Sequence, residues 1–138
     1  MTTLDITAHP AATRHWTYWL GWGLSGLVIL FLLCDGAIKL VPLDIVLSTL
    51  SELGYPPEHA QLIGIITLVG ALLYAWPRTS VLGAILLTGL LGGAMATHLR
   101  INSPLFSHTL FGVYMGLLVW GGLWLREPRL RALLPLRG

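Results

Sequence analysis

Apolar and polar positions along this chain fall into blocks. Four stretches carry no Asp, Glu, Lys, Arg or His: Trp16 to Cys34, Ala60 to Trp76, Thr79 to Thr97 and Thr109 to Leu125. They hold 19, 17, 19 and 17 residues. A helix needs about 20 apolar residues, with a range of about 17 to 25, to cross the hydrocarbon core of a bilayer. Backbone amides in lipid must be bonded within their own segment, and the Gly and Ala content of these blocks excludes the alternation of a barrel strand. The pattern therefore predicts an all-α fold: an integral membrane four-helix bundle forming a single transmembrane domain over residues 1–138, with spans at about 16–39, 59–76, 79–99 and 105–125.

Between the first two blocks the chain reads PLDIVLSTLSELG, with Leu43, Val46, Leu47, Leu50 and Leu53 at helical spacing and Asp44, Ser48, Ser51 and Glu52 between them. This spacing predicts a short amphipathic helix over residues 42–54, on the extracytoplasmic side. Pro42 suits its first turn, Gly54 its C-terminal cap, and Tyr55-Pro56-Pro57 stops it. Such a helix either rests on the lipid interface or covers the mouth of the bundle. Small residues recur at intervals of four at Gly89 and Gly93, at Ala84, Thr88, Gly92 and Ala96, and at Gly112 and Gly116. They read as seams where helix backbones approach within the bundle; the alternative is a homo-oligomer interface.

Composition agrees with this picture. Hydrophobic residues make up 55% of the chain and charged residues 10%, against about a quarter charged in soluble domains. A net charge of +2 spread over 138 residues forms no basic stripe, so the lipid bilayer is the expected partner and nucleic acid is not. The single cysteine, Cys34, excludes an internal disulfide and a CxxC redox pair. Asp5 precedes any basic residue and the first apolar run is long and Trp-rich, so that run is read as a retained span rather than a cleaved signal.

Charge sets the expected orientation. Four crossings put Arg14, Arg78, Arg126, Arg129, Arg131 and Arg137 on one face and only Lys39 and Arg100 on the other, with Asp35, Asp44, Glu52 and Glu58. The positive-inside rule places the first face, and both termini, in the cytoplasm. Trp16, Trp19, Trp22, Trp76, Trp120 and Trp124 all fall towards that face, where an amphipathic indole is favoured.

The outer half holds the groups that could carry chemistry. Asp35 and Lys39 end the first span, four residues apart and able to pair; His98 and Arg100 end the third; His108 opens the fourth, with Tyr114 under two turns below. If they face inward they line a polar pocket, and if they face outward they anchor the bundle by snorkelling. These six are the candidate ligand-binding residues, and His98 and Asp35 the candidate catalytic ones. The sequence has no HExxH or Glu-x-x-His pair and no nucleophile elbow, so neither a metal site nor a serine hydrolase is expected. It also shows no inverted repeat, broken helix or mid-span charge, which a transporter would suggest.

The run PRTSVLGAILLTGLLGGAMATHLRINSPLF, then GVYMGLLVWGGLWLREPRLRALLPLR, with DGAIKL closing the first span and LGYPP before the second, resembles the DoxX-like family of small four-span bacterial membrane proteins. The resemblance runs from about Trp19 onward. It implies a multi-pass protein of the bacterial cytoplasmic (inner) membrane, associated with membrane redox assemblies, and makes Lys39, His98 and Arg100 the first choices for a shared site. Many such relatives carry a glutamate in the second span where this chain has Thr67, which leaves no mid-membrane carboxylate to carry a proton.

Two functions of different class follow. In the first, the chain is a non-catalytic membrane subunit that holds a quinone-like or lipid-like molecule, anchors a membrane or peripheral oxidoreductase partner, or does both, with no further cofactor specified. In the second, it is a membrane-embedded enzyme of isomerase or cyclase type, with His98 or Asp35 as acid or base on an apolar substrate.

Overall fold

The computed structural model describes residues 10–134, with side chains from His15 onward; Asp5 and Arg137 lie outside the described residues, as does the side chain of Arg14. Six α-helices and one turn of π-helix follow in order: α1 (Pro10–Leu40), α2 (Asp44–Glu52), α3 (His59–Ala75), α4 (Ser80–Arg100), the π-turn (Leu105–Thr109), α5 (Phe111–Arg126) and α6 (Pro128–Leu133). Among the described residues there is no strand.

Prolines punctuate these helices by a common mechanism. A residue before proline is driven out of the helical region. Trp76, before Pro77, ends α3 at φ −81°, ψ 123°, and Glu127, before Pro128, ends α5 at φ −116°, ψ 100°. Glu127 then caps α6, its carboxylate accepting the Arg129 N–H at 3.2 Å. At the end of α2, Gly54 adopts φ +81°, which lets the Tyr55 N–H reach the Leu50 carbonyl at 2.9 Å and the Gly54 N–H reach Ser51 at 3.0 Å.

The four longer helices close into a ring, with α1 and α4 each packed against both α3 and α5. Val28, Leu32, Ala71, Tyr74, Leu87, Met115, Val119 and Leu123 fill its centre. Large apolar side chains such as Leu30, Leu72, Ile85 and Leu117 face outward, the arrangement expected where hydrocarbon is the solvent. Three stretches, His15–Leu40, Ser80–Arg100 and Leu105–Arg126, are long and apolar enough to cross a membrane. The remaining member of the ring, α3, is equally apolar but has 17 residues, about 25 Å of rise against a hydrocarbon core of about 30 Å.

The seams that hold the ring differ from those the four-residue spacings suggested. Gly89, Gly92, Gly93 and Gly116 have open space where a side chain would stand. The close approaches lie elsewhere. A Cβ on Gly83 would sit 2.3 Å from the Tyr74 amide nitrogen, one on Gly21 2.8 Å from the Gly122 carbonyl, and one on Gly64 2.9 Å from the Gly36 carbonyl. Gly112, packed on Met95, is the one expected glycine that does form a seam. A spacing of four puts small residues on one helix face but does not say what that face meets.

α2 lies against the start of α3, burying Val46 and Leu50 beside Ala60, with Tyr55 and Ile63 packed around them. The loop after it is tied to α4, where the Tyr55 hydroxyl donates to Thr97 Oγ1 at 2.9 Å, that oxygen having its own proton on the Gly93 carbonyl.

Candidate functional site

Polar side chains gather at both ends of the ring. At the α2 end, α4 finishes with His98 and Arg100, and Pro104 and the π-turn fold the chain back at once, so that His98 and His108, ten residues apart, meet edge to face with ring centroids 5.7 Å apart. His98 is half-buried and His108 exposed. Each imidazole is oriented by a serine: His98 Nδ1 lies 3.0 Å from Ser103 Oγ and His108 Nδ1 2.7 Å from Ser107 Oγ. Among the described residues no third histidine, thiol or carboxylate joins them as in a metal-ligand group.

The other four residues expected here are placed differently. Asp35 and Lys39 form a half-buried ion pair one turn apart on α1. Arg100 donates from Nη2 to the Leu53 carbonyl at 2.9 Å, so it braces the end of α2. Tyr114 is exposed and donates to the Phe106 carbonyl at 3.1 Å. The structure thus brings His98 and His108 together, sets Arg100 at the same end, and shows no hydrogen bond or ion pair from Asp35 or Lys39 to any of them.

At the opposite end a second cluster surrounds Arg126, which in the sequence marks only the expected orientation. Arg126 is 6% exposed. Its guanidinium lies 4.2 Å from the centre of the Trp22 ring and 4.8 Å from that of Tyr74. Nη2 donates to the Tyr74 carbonyl at 2.9 Å and to Ser80 Oγ at 3.3 Å. Tyr74, wholly buried, donates its own hydroxyl to the Val119 carbonyl at 2.7 Å and has Ser25 Oγ at 3.0 Å. With one proton already committed, the phenol accepts from Ser25. One tyrosine therefore links α1, α3 and α5 through side-chain hydrogen bonds, and Arg126 ties α5 to the α3–α4 turn. A signal for this cluster existed: Met115, Val119, Gly122 and Arg126 fall on one stripe of α5, while Ala60, Gly64, Thr67, Ala71 and Tyr74 form another on α3. A charge at the end of a core stripe faces inward.

Outward leucines, inward small residues and three membrane-length apolar helices define a helical integral membrane protein in contact with lipid. The sequence model of the DoxX-like family matches residues 23–122, and the chain belongs to that family. No curated protein and no solved structure matches it.

Proposed function

We propose that this chain is a four-span subunit of the bacterial inner membrane that holds a quinone-like or lipid-like molecule at the His98–His108 end and anchors a redox partner whose centre performs the electron transfer. The observation that carries this reading is the imidazole pair, 5.7 Å apart, of half-buried His98 and exposed His108, with serine hydroxyls and Arg100 at the same end of an apolar ring. Imidazole and guanidinium N–H groups are the donors that a carbonyl-bearing apolar ligand needs, and the surrounding helices supply the apolar wall. Acid–base catalysis is less well served. The serines orient both histidines, and among the described residues no carboxylate, the partner that usually fixes a catalytic tautomer, bonds to either.

Native mass spectrometry of the gently purified protein tests the reading. A defined small hydrophobic molecule is expected on wild type and absent from His98→Ala and Arg100→Ala. Bulk phospholipid alone, unchanged in both variants, would leave the cluster an anchor and remove the ligand from the proposal.

In this reading α3 crosses with the others, its ends completed by adjoining Glu58 and Trp76, and the arginine-rich end faces the cytoplasm with both termini. A membrane-impermeant maleimide checks that arrangement on a Cys34→Ser background. Glu58→Cys should label in intact spheroplasts and Arg78→Cys only after permeabilisation. The reverse labelling would invert the protein, and equal labelling of both in intact spheroplasts would mean that α3 does not cross.

A further inference from the structure

Away from the histidines, the hydrogen bonding around Arg126 is incomplete. A guanidinium carries five N–H donors, yet among the described residues only Nη2 has acceptors. Nε is buried without one. No carboxylate lies within ion-pair distance of Arg126 among the described residues. Two aromatic faces spread part of its charge, but a ring face is a weaker partner than an oxyanion. A cation this deeply buried without a counter-ion is expensive to keep.

Beside it opens a pocket of about 170 Å³ bordered by Tyr18, Trp22, Pro77, Ser80, Arg126 and Glu127. Tyr18 and Trp22, which border the same pocket, each carry a donor that an oxyanion can accept. Glu127 is the opposing charge; its Oε1 is turned to the Arg129 N–H at the start of α6. The pocket lies at the end where Trp16, Trp19, Trp76, Arg78 and Arg129 are exposed, the side chains that sit at headgroup level in a bilayer.

We propose that this pocket binds a phosphate oxyanion against Arg126. Its volume admits a phosphate, and its position suits either the headgroup of an anionic phospholipid or a free phosphate from the aqueous side. The bound oxyanion supplies the missing counter-ion and so couples the closure of α1, α4 and α5 to occupancy of the site.

The test uses the full chain in detergent, with wild type, Arg126→Gln and Glu127→Gln titrated with phosphatidylglycerol or phosphatidylcholine by native mass spectrometry, and melted with and without inorganic phosphate. Wild type should prefer phosphatidylglycerol by about tenfold, the worth of one charge-assisted hydrogen bond. Arg126→Gln should lose that preference, and Glu127→Gln, relieved of repulsion, should bind more tightly. Stabilisation by inorganic phosphate in wild type but not Arg126→Gln, with no lipid preference, would assign the site to the free ion. The proposal fails if wild type shows neither lipid preference nor phosphate stabilisation, or if Arg126→Gln binds as wild type does. Should Arg126→Gln not fold, an affinity unchanged in Glu127→Gln overturns it and a tighter one supports it.

Discussion

Gly83→Ala is expected to destabilise the protein by about 3 kcal/mol, the upper part of the usual range for overpacking a tight contact. The added methyl would stand 2.3 Å from the Tyr74 amide nitrogen, 2.6 Å from its Cα and 2.8 Å from the Leu73 carbonyl carbon. All three are backbone atoms, which cannot rotate away as a side chain can, so α3 and α4 must separate. Separation lengthens the bonds of the connecting turn, where Ser80 Oγ donates at 2.9 Å to the Tyr74 carbonyl and Thr79 Oγ1 at 2.8 Å to that of Leu73. Gly89→Ala on the same helix meets nothing within 4 Å and should stay within about 0.5 kcal/mol of wild type. Unfolding of both variants by denaturing detergent, followed by circular dichroism, reads the difference. Equal midpoints would show that α3 and α4 do not approach this closely.

Tyr74→Ala should cost about 3–5 kcal/mol, the range for deleting a buried aromatic side chain. In lipid the loss is one of packing and hydrogen bonds, because the apolar surroundings of a bundle and of the bilayer are alike. Tyr74 fills the centre of the ring, and its removal also strips one face from Arg126. Tyr74→Phe keeps the ring and gives up the bonds to Val119 and Ser25, so it should cost about 1 kcal/mol, in line with interhelical hydrogen bonds in membranes. The same unfolding titration separates the two. A Tyr74→Phe variant as damaged as Tyr74→Ala would mean that the hydroxyl network, rather than packing, closes the ring.

Both predictions rest on contacts that the sequence only half revealed. Its apolar blocks were plain, since a run of uncharged residues rich in Gly and Ala has few ways to satisfy its backbone except as a helix. The runs GLLGGAMA and GVYMG were just as visible as small-residue stripes, but Gly89, Gly92, Gly93 and Gly116 turn outward while Gly21, Gly83 and Gly122 make close approaches. A glycine reads the same in either place, because what sets it apart is the backbone it meets on another helix. Arg126 was hidden for a related reason. At the end of an apolar run an arginine looks like an interfacial anchor, and only the stripe it shares with Met115 and Val119 turns it inward, towards Tyr74 and Trp22.

By itself, then, the sequence determined the helical class, the apolar segments suited to lipid, and the family. The first two follow from local composition and periodicity, which act within one helix at a time; the family follows from the resemblance of whole runs such as those ending in DGAIKL and MATHLR. Tertiary structure alone decided which faces meet: it paired His98 with His108 across the Pro104 turn, sent Arg100 to the end of α2, and left Asp35 bonded to Lys39. It also buried a guanidinium that no carboxylate among the described residues neutralises. Such pairings depend on the rotation of each helix about its axis and the depth at which it packs, quantities that shape complementarity between helices fixes and no single segment encodes.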